Sequence, residues 1–347
     1  MKQCKFYMCG GETFKTNCEV PLGIGYLMSN CNHRDWEFSY TENESELYDA
    51  DMIALSSCAN GAGEAIRISK IAKCPVIIGG QITLWNELAS YNFTHIIKGE
   101  GELALDKILQ GGSPKMCEEK MIDNIDIIKF PYRGDARSHQ AIIITSRGCP
   151  YDCAFCSSQE YWDKVRYHSA DYFIDEVKMI AKNYPQVTEL DIADDLFASH
   201  KTRLREIHDK WLSNNLQKRF SLPKCFIRSN IFDDEICVLL QEMGFKNARF
   251  GGESASNRVL KILNKKATVE NHINAIEVCQ RHNMKVSASF MFGIPGETEE
   301  DVKITDDFIE KYTGILGNGG RYIFRAFPGT KFYDGEDISR LDMGVRF

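Results

Sequence analysis

Short apolar runs alternate with stretches of helical spacing from the start of the chain. CKFYMC, WEFSYT, DMIALSS, PVIIGG and THIIKG predict strands, and LGIGYLMSN, GEAIRISKIA, LWNELASY and ELALDKIL predict helices between or after them. This is the pattern of a parallel sheet covered by helices. Glycines follow the strands: Gly10 and Gly11, Gly61 and Gly63, Gly79 and Gly80, Gly99 and Gly101. Ligands of open α/β sheets bind outside the carboxyl ends of the strands, where glycine lets backbone approach closely, so these loops form a first candidate site.

From Gly111 to about Ser138 the periodicity is broken by GGSPK, CEEK and PYRGD, which reads as a linker. The alternation then resumes for six rounds, with strands AIIITS, TELDIA, KCFIRS, ARFGGE, KVSASFMFG and RYIFRAF. Helical spacing falls at 172–183, 202–214, 233–243, 257–263 with 269–281, and 301–312. Six strand–helix units predict a partial (β/α)6 TIM-like barrel, whose chemistry lies at the strand carboxyl ends. The expected class is therefore α/β. A flavodoxin-like (Rossmann-type) parallel-sheet domain at 1–112 and a linker at 113–138 precede a barrel at 139–334 and a short tail at 335–347.

Composition narrows the function classes. At 347 residues the chain exceeds what one compact core usually accommodates, which agrees with two domains. Its net charge of −7 gives no global attraction to nucleic acid. No apolar stretch reaches the ~18 residues of a membrane span, and no secretory pattern opens the chain, so the expected location is the cytoplasm. Thirteen cysteines are many, but they are scattered and odd in number, unlike a secreted disulfide scaffold. Cys74, Cys237 and Cys279 sit among aliphatic or helical neighbours, as small buried apolar residues do.

The exception is RGCPYDCAFC, which places Cys149, Cys153 and Cys156 directly after the first barrel strand. A zinc site is normally closed by four protein ligands, and here His168 or Cys225 would have to be recruited from a distance. Iron–sulfur clusters also take Cys thiolates, usually four. Three leave one iron open to an exogenous ligand.

The CxxxCxxC spacing, with Phe155 before the last cysteine, resembles the signature of the radical S-adenosylmethionine (radical SAM) superfamily. The resemblance extends through the barrel half: ELDIADDLF is similar to the family's second strand, IRSN to its third, GGESASNRVLKILNKKAT to its fourth with the following helix, FMFGIPGETEED to its fifth, and RAFPGTKFYD to its sixth. The resemblance implies that Cys149, Cys153 and Cys156 hold a [4Fe-4S] cluster whose free iron takes the amino and carboxylate groups of SAM. Reductive cleavage of the sulfonium then yields a 5′-deoxyadenosyl radical, chemistry that belongs to the cofactor. It also implies that Phe155 leans on the adenine and that Asp194, Glu253 and Ser254 contact polar groups of SAM. Arg228 would pair with its carboxylate, and Gly293, Ile294 and Pro295 would set backbone against the adenine. Read without the resemblance, Glu253 is an ion-pair partner for Arg249 or Arg228, and Asp194 and Asp195 bind a ligand or cap a helix. Thr298 with Glu299, Glu300 and Asp301 reads as a helix N-terminus.

In the first half, VIIGGQIT followed by THIIKGEGELALDKIL resembles the cobalamin-binding domain that precedes many radical SAM enzymes, and PLGIGYLMSN and ADMIALSSCAN fit the same layout. The resemblance implies a nucleotide-tail groove along Ser56, Ser57, Gly79, Gly80, Gly99 and Glu100. No histidine has Asp two places before it as in DxHxxG, so cobalamin would be bound without a protein histidine, a state suited to methyl transfer. Cys9, Cys18, Cys31 and Cys58 raise a second-cluster reading: SSCAN ends a strand as in methylthiotransferases, but GGQ stands where that family presents its third cysteine, and Cys18 and Cys31 read as scattered reduced thiols. The reading that follows is a cobalamin-dependent radical SAM methyltransferase acting on an unactivated carbon or phosphorus centre of a small molecule or peptide. An external electron donor such as flavodoxin or ferredoxin is implied, with no nucleic-acid or membrane partner. The alternatives are cobalamin-independent rearrangement, cyclisation or oxidation, methylthio transfer, and a non-enzymatic iron–sulfur sensor. No acid or base is assigned.

Overall fold

The computed structural model describes residues 1–10, 20–31, 34–135, 138–317 and 319–340, which leaves Gly11, Cys18 and the tail beyond 340 outside the description. The chain divides into two units. The first comprises Met1–Ser138, Phe327–Gly329 and the described part of Tyr333–Val345, and the second is built mainly from His139–Ala326.

In the first unit β1 (Lys2–Met8), α1 (Leu22–Asn30), β2 (Trp36–Tyr40), β3 (Met52–Ser56), α2 (Ala62–Ile71), β4 (Val76–Gly79), β5 (His95–Lys98), α3 (Gly101–Gln110) and β6 (Met116–Glu118) follow one another. The six strands pair in parallel in the order β2-β1-β3-β4-β5-β6. Successive strand residues point to opposite faces, and each face meets a separate core. Ile53, Leu55, Val76, Ile78 and Ile96 pack with Ala65, Ile66 and Ile68 of α2. Met52, Ala54, Ile77 and Ile97 pack with Ile24 of α1 and Leu105 and Ile108 of α3. Covering both faces is why the central strands β3 (MIALS) and β4 (VIIG) are nearly continuous apolar runs.

Two sequence expectations change. LWNELASY forms no α-helix: Gln81–Leu84 and Asn86–Ser90 are short 3-10 turns with Trp85 buried where they meet. The stretch read as a linker contains β6, whose Cys117 is buried against the α3 side of the sheet. The tail likewise packs: Ile338 is 1% exposed within the α2-side core.

The second unit runs β7 (Gln140–Ile143), β8 (Ser146–Arg147), α4 (Ser158–Trp162), β9 (Arg166–Tyr167), α5 (Ala170–Asn183), β10 (Glu189–Ile192), α6 (Lys201–Ser213), β11 (Cys225–Ile227), α7 (Asp234–Met243), β12 (Asn247–Glu253), α8 (Asn257–Ile262), α9 (Val269–Arg281), β13 (Lys285–Phe292), α10 (Glu299–Tyr312), β14 (Leu316–Gly317) and β15 (Arg321–Ile323). β7 pairs with β10 in parallel, and β11, β12, β13 and β15 form a second parallel run, with β14 also on β13. A bridge from Glu189 to Ser221 connects the β10 side with the approach to β11. Among the described residues no ladder joins β7 to β15, so the barrel is open. Helix starts are fixed by side chains: Ser169 accepts from Tyr172 N, Asp233 from Ile236 N, and Thr268 and Thr298 form reciprocal caps with Asn271 and Asp301. Thr298 thus caps α10, and Asp301, read from the sequence as a first-turn acid, caps it in return.

Candidate active site

The three cysteines sit on the loop between β8 and α4. Gly148 turns the chain at φ +89, where an added Cβ would lie 3.0 Å from Trp162 and 3.1 Å from Lys164 O. Ala154 N donates to Leu263 O at 2.9 Å, Asn264 Nδ2 to Asp152 O at 3.0 Å, and Lys331 N to Ala154 O at 2.9 Å. The aspartate pair after β10 clamps both ends of this segment. Asp194 Oδ1 accepts from Thr145 N (2.5 Å) and Ser146 N (3.2 Å), and its Oδ2 from Thr145 Oγ1 (2.6 Å) and Ser146 Oγ (2.8 Å). Asp195 Oδ2 accepts from Ser158 Oγ at 2.5 Å.

Burial raises the Cys149 thiol above its usual range and pushes that of Cys156 up to about 11, and for both the charges of Asp195 and Cys153 act in the same direction. Binding a cation there therefore displaces protons. Among the described residues no three His, Cys, Asp or Glu side chains converge as donors to a single ion do. The thiolates of a cluster need not converge, because each binds a different iron. The alternative fourth ligands stand elsewhere: His168 is fully buried and stacked on Tyr172 with centroids 3.8 Å apart, and Cys225 is fully buried in the main core.

A pocket of about 290 Å³ opens at the carboxyl ends of β10 to β13, and its lining includes Cys149, Arg228, Arg249, Gly251, Glu253 and Lys265. Arg228 lies flat on Tyr151, its Cζ 3.7 Å from the ring centroid, and donates from Nε to Asn230 Oδ1 at 3.0 Å and from Nη1 to Cys153 Sγ at 3.3 Å. Among the described residues its buried Nη2 has no hydrogen-bond partner. Glu253 ends β12 at φ +63, after a bulge in the ladder to β13, and its Oε1 accepts from buried Lys265 Nζ at 2.7 Å. An L-residue held in that region at a strand end marks a place where the surroundings override backbone preference. Gly251 makes room for the pair, since a Cβ there would lie 2.0 Å from Glu253 Oε1. Behind the pocket, buried His272 Nδ1 lies 2.8 Å from Ser229 Oγ and its Nε2 3.1 Å from Gly252 O.

Several expected SAM contacts are redistributed. Asp194 has all four of its acceptor positions filled by Thr145 and Ser146, so it holds the cysteine loop instead of a ligand. Ser254 is fully buried, accepts from Ser256 N at 3.1 Å and lies 3.1 Å from Thr305 Oγ1 of α10, which turns it away from the pocket. Glu253 lines the pocket as expected, but its partner is Lys265, which lies in a turn where Asn264 and Lys266 both have positive φ. Arg228 keeps one free nitrogen for a carboxylate while holding Cys153 with another. Phe155 and Ile294 share an apolar cluster with Val259 and Leu263. Gly293 N and Ile294 N donate to Glu297 Oε2 at 2.7 and 3.3 Å, and Pro295 follows them in the same turn. Lys265, Tyr151, Asn230 and His272 were not singled out in the sequence, where nothing in their spacing separates them from surface or core residues.

In the first unit, Ser56, Ser57, Gly79, Gly80, Gly99 and Glu100 stand at or just beyond the carboxyl ends of β3, β4 and β5. Ser57 N donates to Gly79 O at 3.1 Å, and Gly80, at φ +91, passes so close that a Cβ would lie 2.5 Å from Ser57 O. At Gly79 an added Cβ would meet nothing nearer than 3.9 Å and at Gly99 nothing nearer than 3.7 Å, which leaves backbone open to a ligand. Glu100 is buried and accepts from Ile122 N at 2.8 Å, so it closes the loop after β5.

Residues 143–309 match the Radical SAM superfamily model. The match covers the barrel half of the chain, which is similar to that superfamily. The chain is 26% identical to an uncharacterized methyltransferase, PH0819, of Pyrococcus horikoshii over 90% of this chain and 78% of the relative. It is 29% identical to a tRNA-2-methylthio-N(6)-dimethylallyladenosine synthase of Petrotoga mobilis over 97% of this chain and 80% of the relative. It spans 32%, 58% and 65% of three further curated relatives. Among solved structures, the radical SAM methyltransferase TsrM of Kitasatospora setae, with cobalamin and a [4Fe-4S] cluster bound, superposes with TM-score 0.75 at 16% identity over 95% of this chain and 77% of TsrM. That likeness supports the two-part α/β fold. Three thiols on a clamped loop, a cationic nitrogen without a partner in the adjoining pocket and a fixed Glu253–Lys265 pair fit a radical SAM cluster and SAM.

Proposed function

We propose that this chain is a cobalamin-dependent radical SAM methyltransferase that transfers a methyl group to an unactivated carbon or phosphorus centre of a small molecule or peptide. The observation that carries the reading is the clamped cysteine loop facing a pocket with an unpartnered guanidinium nitrogen, in a chain whose other unit offers glycine-rich strand ends. When bound, the cluster supplies electrons to SAM and cobalamin supplies a methyl carrier. The protein's own part is binding and orientation. Cys149, Cys153 and Cys156 hold the cluster, Arg228 Nη2 receives the SAM carboxylate, and Glu253 with Lys265 fixes polar groups. Phe155 and Ile294 give the adenine an apolar seat, and the backbone at Gly79, Gly80 and Gly99 receives the cobalamin tail. Among the described residues no helix is long and apolar enough to cross a membrane. Reduced thiols and an oxygen-labile cluster suit the cytoplasm, with a flavodoxin or ferredoxin as electron donor.

The test is anaerobic reconstitution with iron, sulfide, SAM and a reductant, with and without methylcobalamin. S-adenosylhomocysteine that accumulates only with cobalamin supports the proposal. 5′-Deoxyadenosine formed equally without it assigns the chain to cobalamin-independent radical chemistry. The relative from Petrotoga makes methylthio transfer the competing transferase reading. In this chain Cys9 is fully buried and Cys58 Sγ faces Gln81 Oε1 at 3.8 Å, the residue standing where a third cysteine belongs.

A further inference from the structure

The guanidinium of Arg228 is held on three sides: by the face of Tyr151, by Asn230 Oδ1 and by Cys153 Sγ. It is 6% exposed, and these contacts keep it in place. Asn230 Nδ2 in turn donates to Tyr151 Oη at 3.5 Å, which ties two of the three restraints together. Arg249, on the same pocket wall, differs. It stacks over Phe226 with its Cζ 5.5 Å from the ring, and among the described residues its hydrogen bond goes to Ser289 Oγ, at 3.5 Å, and not to a ligating sulfur. A buried cation aimed at a thiolate of an iron–sulfur cluster acts most strongly on the state with more negative charge, because hydrogen bonds to the sulfurs and local net charge set the reduction potential.

We infer that Arg228 is a positioning residue that tunes the cluster: its N–H on the Cys153 sulfur raises the reduction potential, and Tyr151 and Asn230 keep that N–H in place. The inference rests on the cluster assigned under the proposed function. One electron added from an external reductant places a further negative charge on the cluster, and the fixed guanidinium stabilises that state relative to the oxidised one. The same group offers Nη2 to the pocket, so the redox setting and the anion contact reside in one side chain.

The experiment is a mediator-buffered dithionite titration of anaerobically reconstituted protein, followed by electron paramagnetic resonance, with iron and sulfide measured on every sample. Arg228→Gln is expected to keep its iron but to show about tenfold less reduced cluster, relative to oxidised, at a fixed potential, the size of one lost charge-assisted hydrogen bond. Arg228→Lys falls between. Asn230→Ala, which loosens the guanidinium without removing its charge, shifts in the same direction by less, and Arg249→Gln shifts less than Arg228→Gln. Equal potentials in wild type and Arg228→Gln, at full iron content, would overturn the inference. If Arg228→Gln loses its iron, Asn230→Ala decides, and an unshifted potential there overturns it. Wild-type protein that takes up no four-iron cluster refutes the proposed function instead.

Discussion

At the scale of single residues, the site is held in shape by groups behind it as well as by those that line it. Asp194 takes four donors from Thr145 and Ser146 and thereby fixes the strand end from which the cysteine loop departs. Asp194→Asn removes the charge and turns an amide toward groups that need an acceptor, at a cost of about 2 kcal/mol. The expected outcome is a lower thermal midpoint together with reduced iron uptake, and unchanged values of both would refute the clamp. Gly251 is the second lever. A methyl group there would overlap the Glu253 carboxylate and press on Lys265, so Gly251→Ala is expected to weaken SAM binding about tenfold in equilibrium dialysis while cluster content stays at the wild-type level.

At the scale of elements, β11 and β12 are locked at their carboxyl ends by His272 of α9, which meets Ser229 and Gly252 at once. Burial, assisted by the charge of Lys265, holds this imidazole down to about 4 from 6.5. Below pH 6.5 the unfolded chain binds a proton that the folded unit refuses, so stability is fully present above 6.5 and drains away until the folded ring protonates near 4. The whole change amounts to about 3 kcal/mol. Denaturant unfolding of wild type between pH 7 and 4 should therefore be steeper in pH than that of His272→Gln, and parallel profiles would exclude the role. The six barrel strands and their helices were legible because their apolar runs are long and bounded by turn residues. LWNELASY misled because its helical spacing is real, yet two short turns bury Trp85 just as well. β6 was hidden because a three-residue strand leaves no period to read. Cys149, Cys153 and Cys156 stood out by their spacing after a strand, and what they hold was implied by the resemblance. The contacts of Lys265 and Asp194 could not be read in this way, because which lysine reaches Glu253, and which way an aspartate turns at a strand end, depend on folding.

At the scale of the whole molecule, the chain leaves the first unit at Ser138, builds the barrel, and returns so that Ile338 enters the core against α2. Ile338→Ala should cost that unit about 3 kcal/mol through the cavity it leaves. The measurable result is a lower melting transition with iron content preserved, and a joint loss of both would show that the segment supports the barrel as well. The returning segment also imposes a schedule. Because the residue that seals the sheet's core follows every strand of the barrel in the chain, the α2-side core of the first unit cannot be completed until the segment after the barrel has been made. A break anywhere in the barrel segment therefore also separates the first unit's sheet from the residue that seals it.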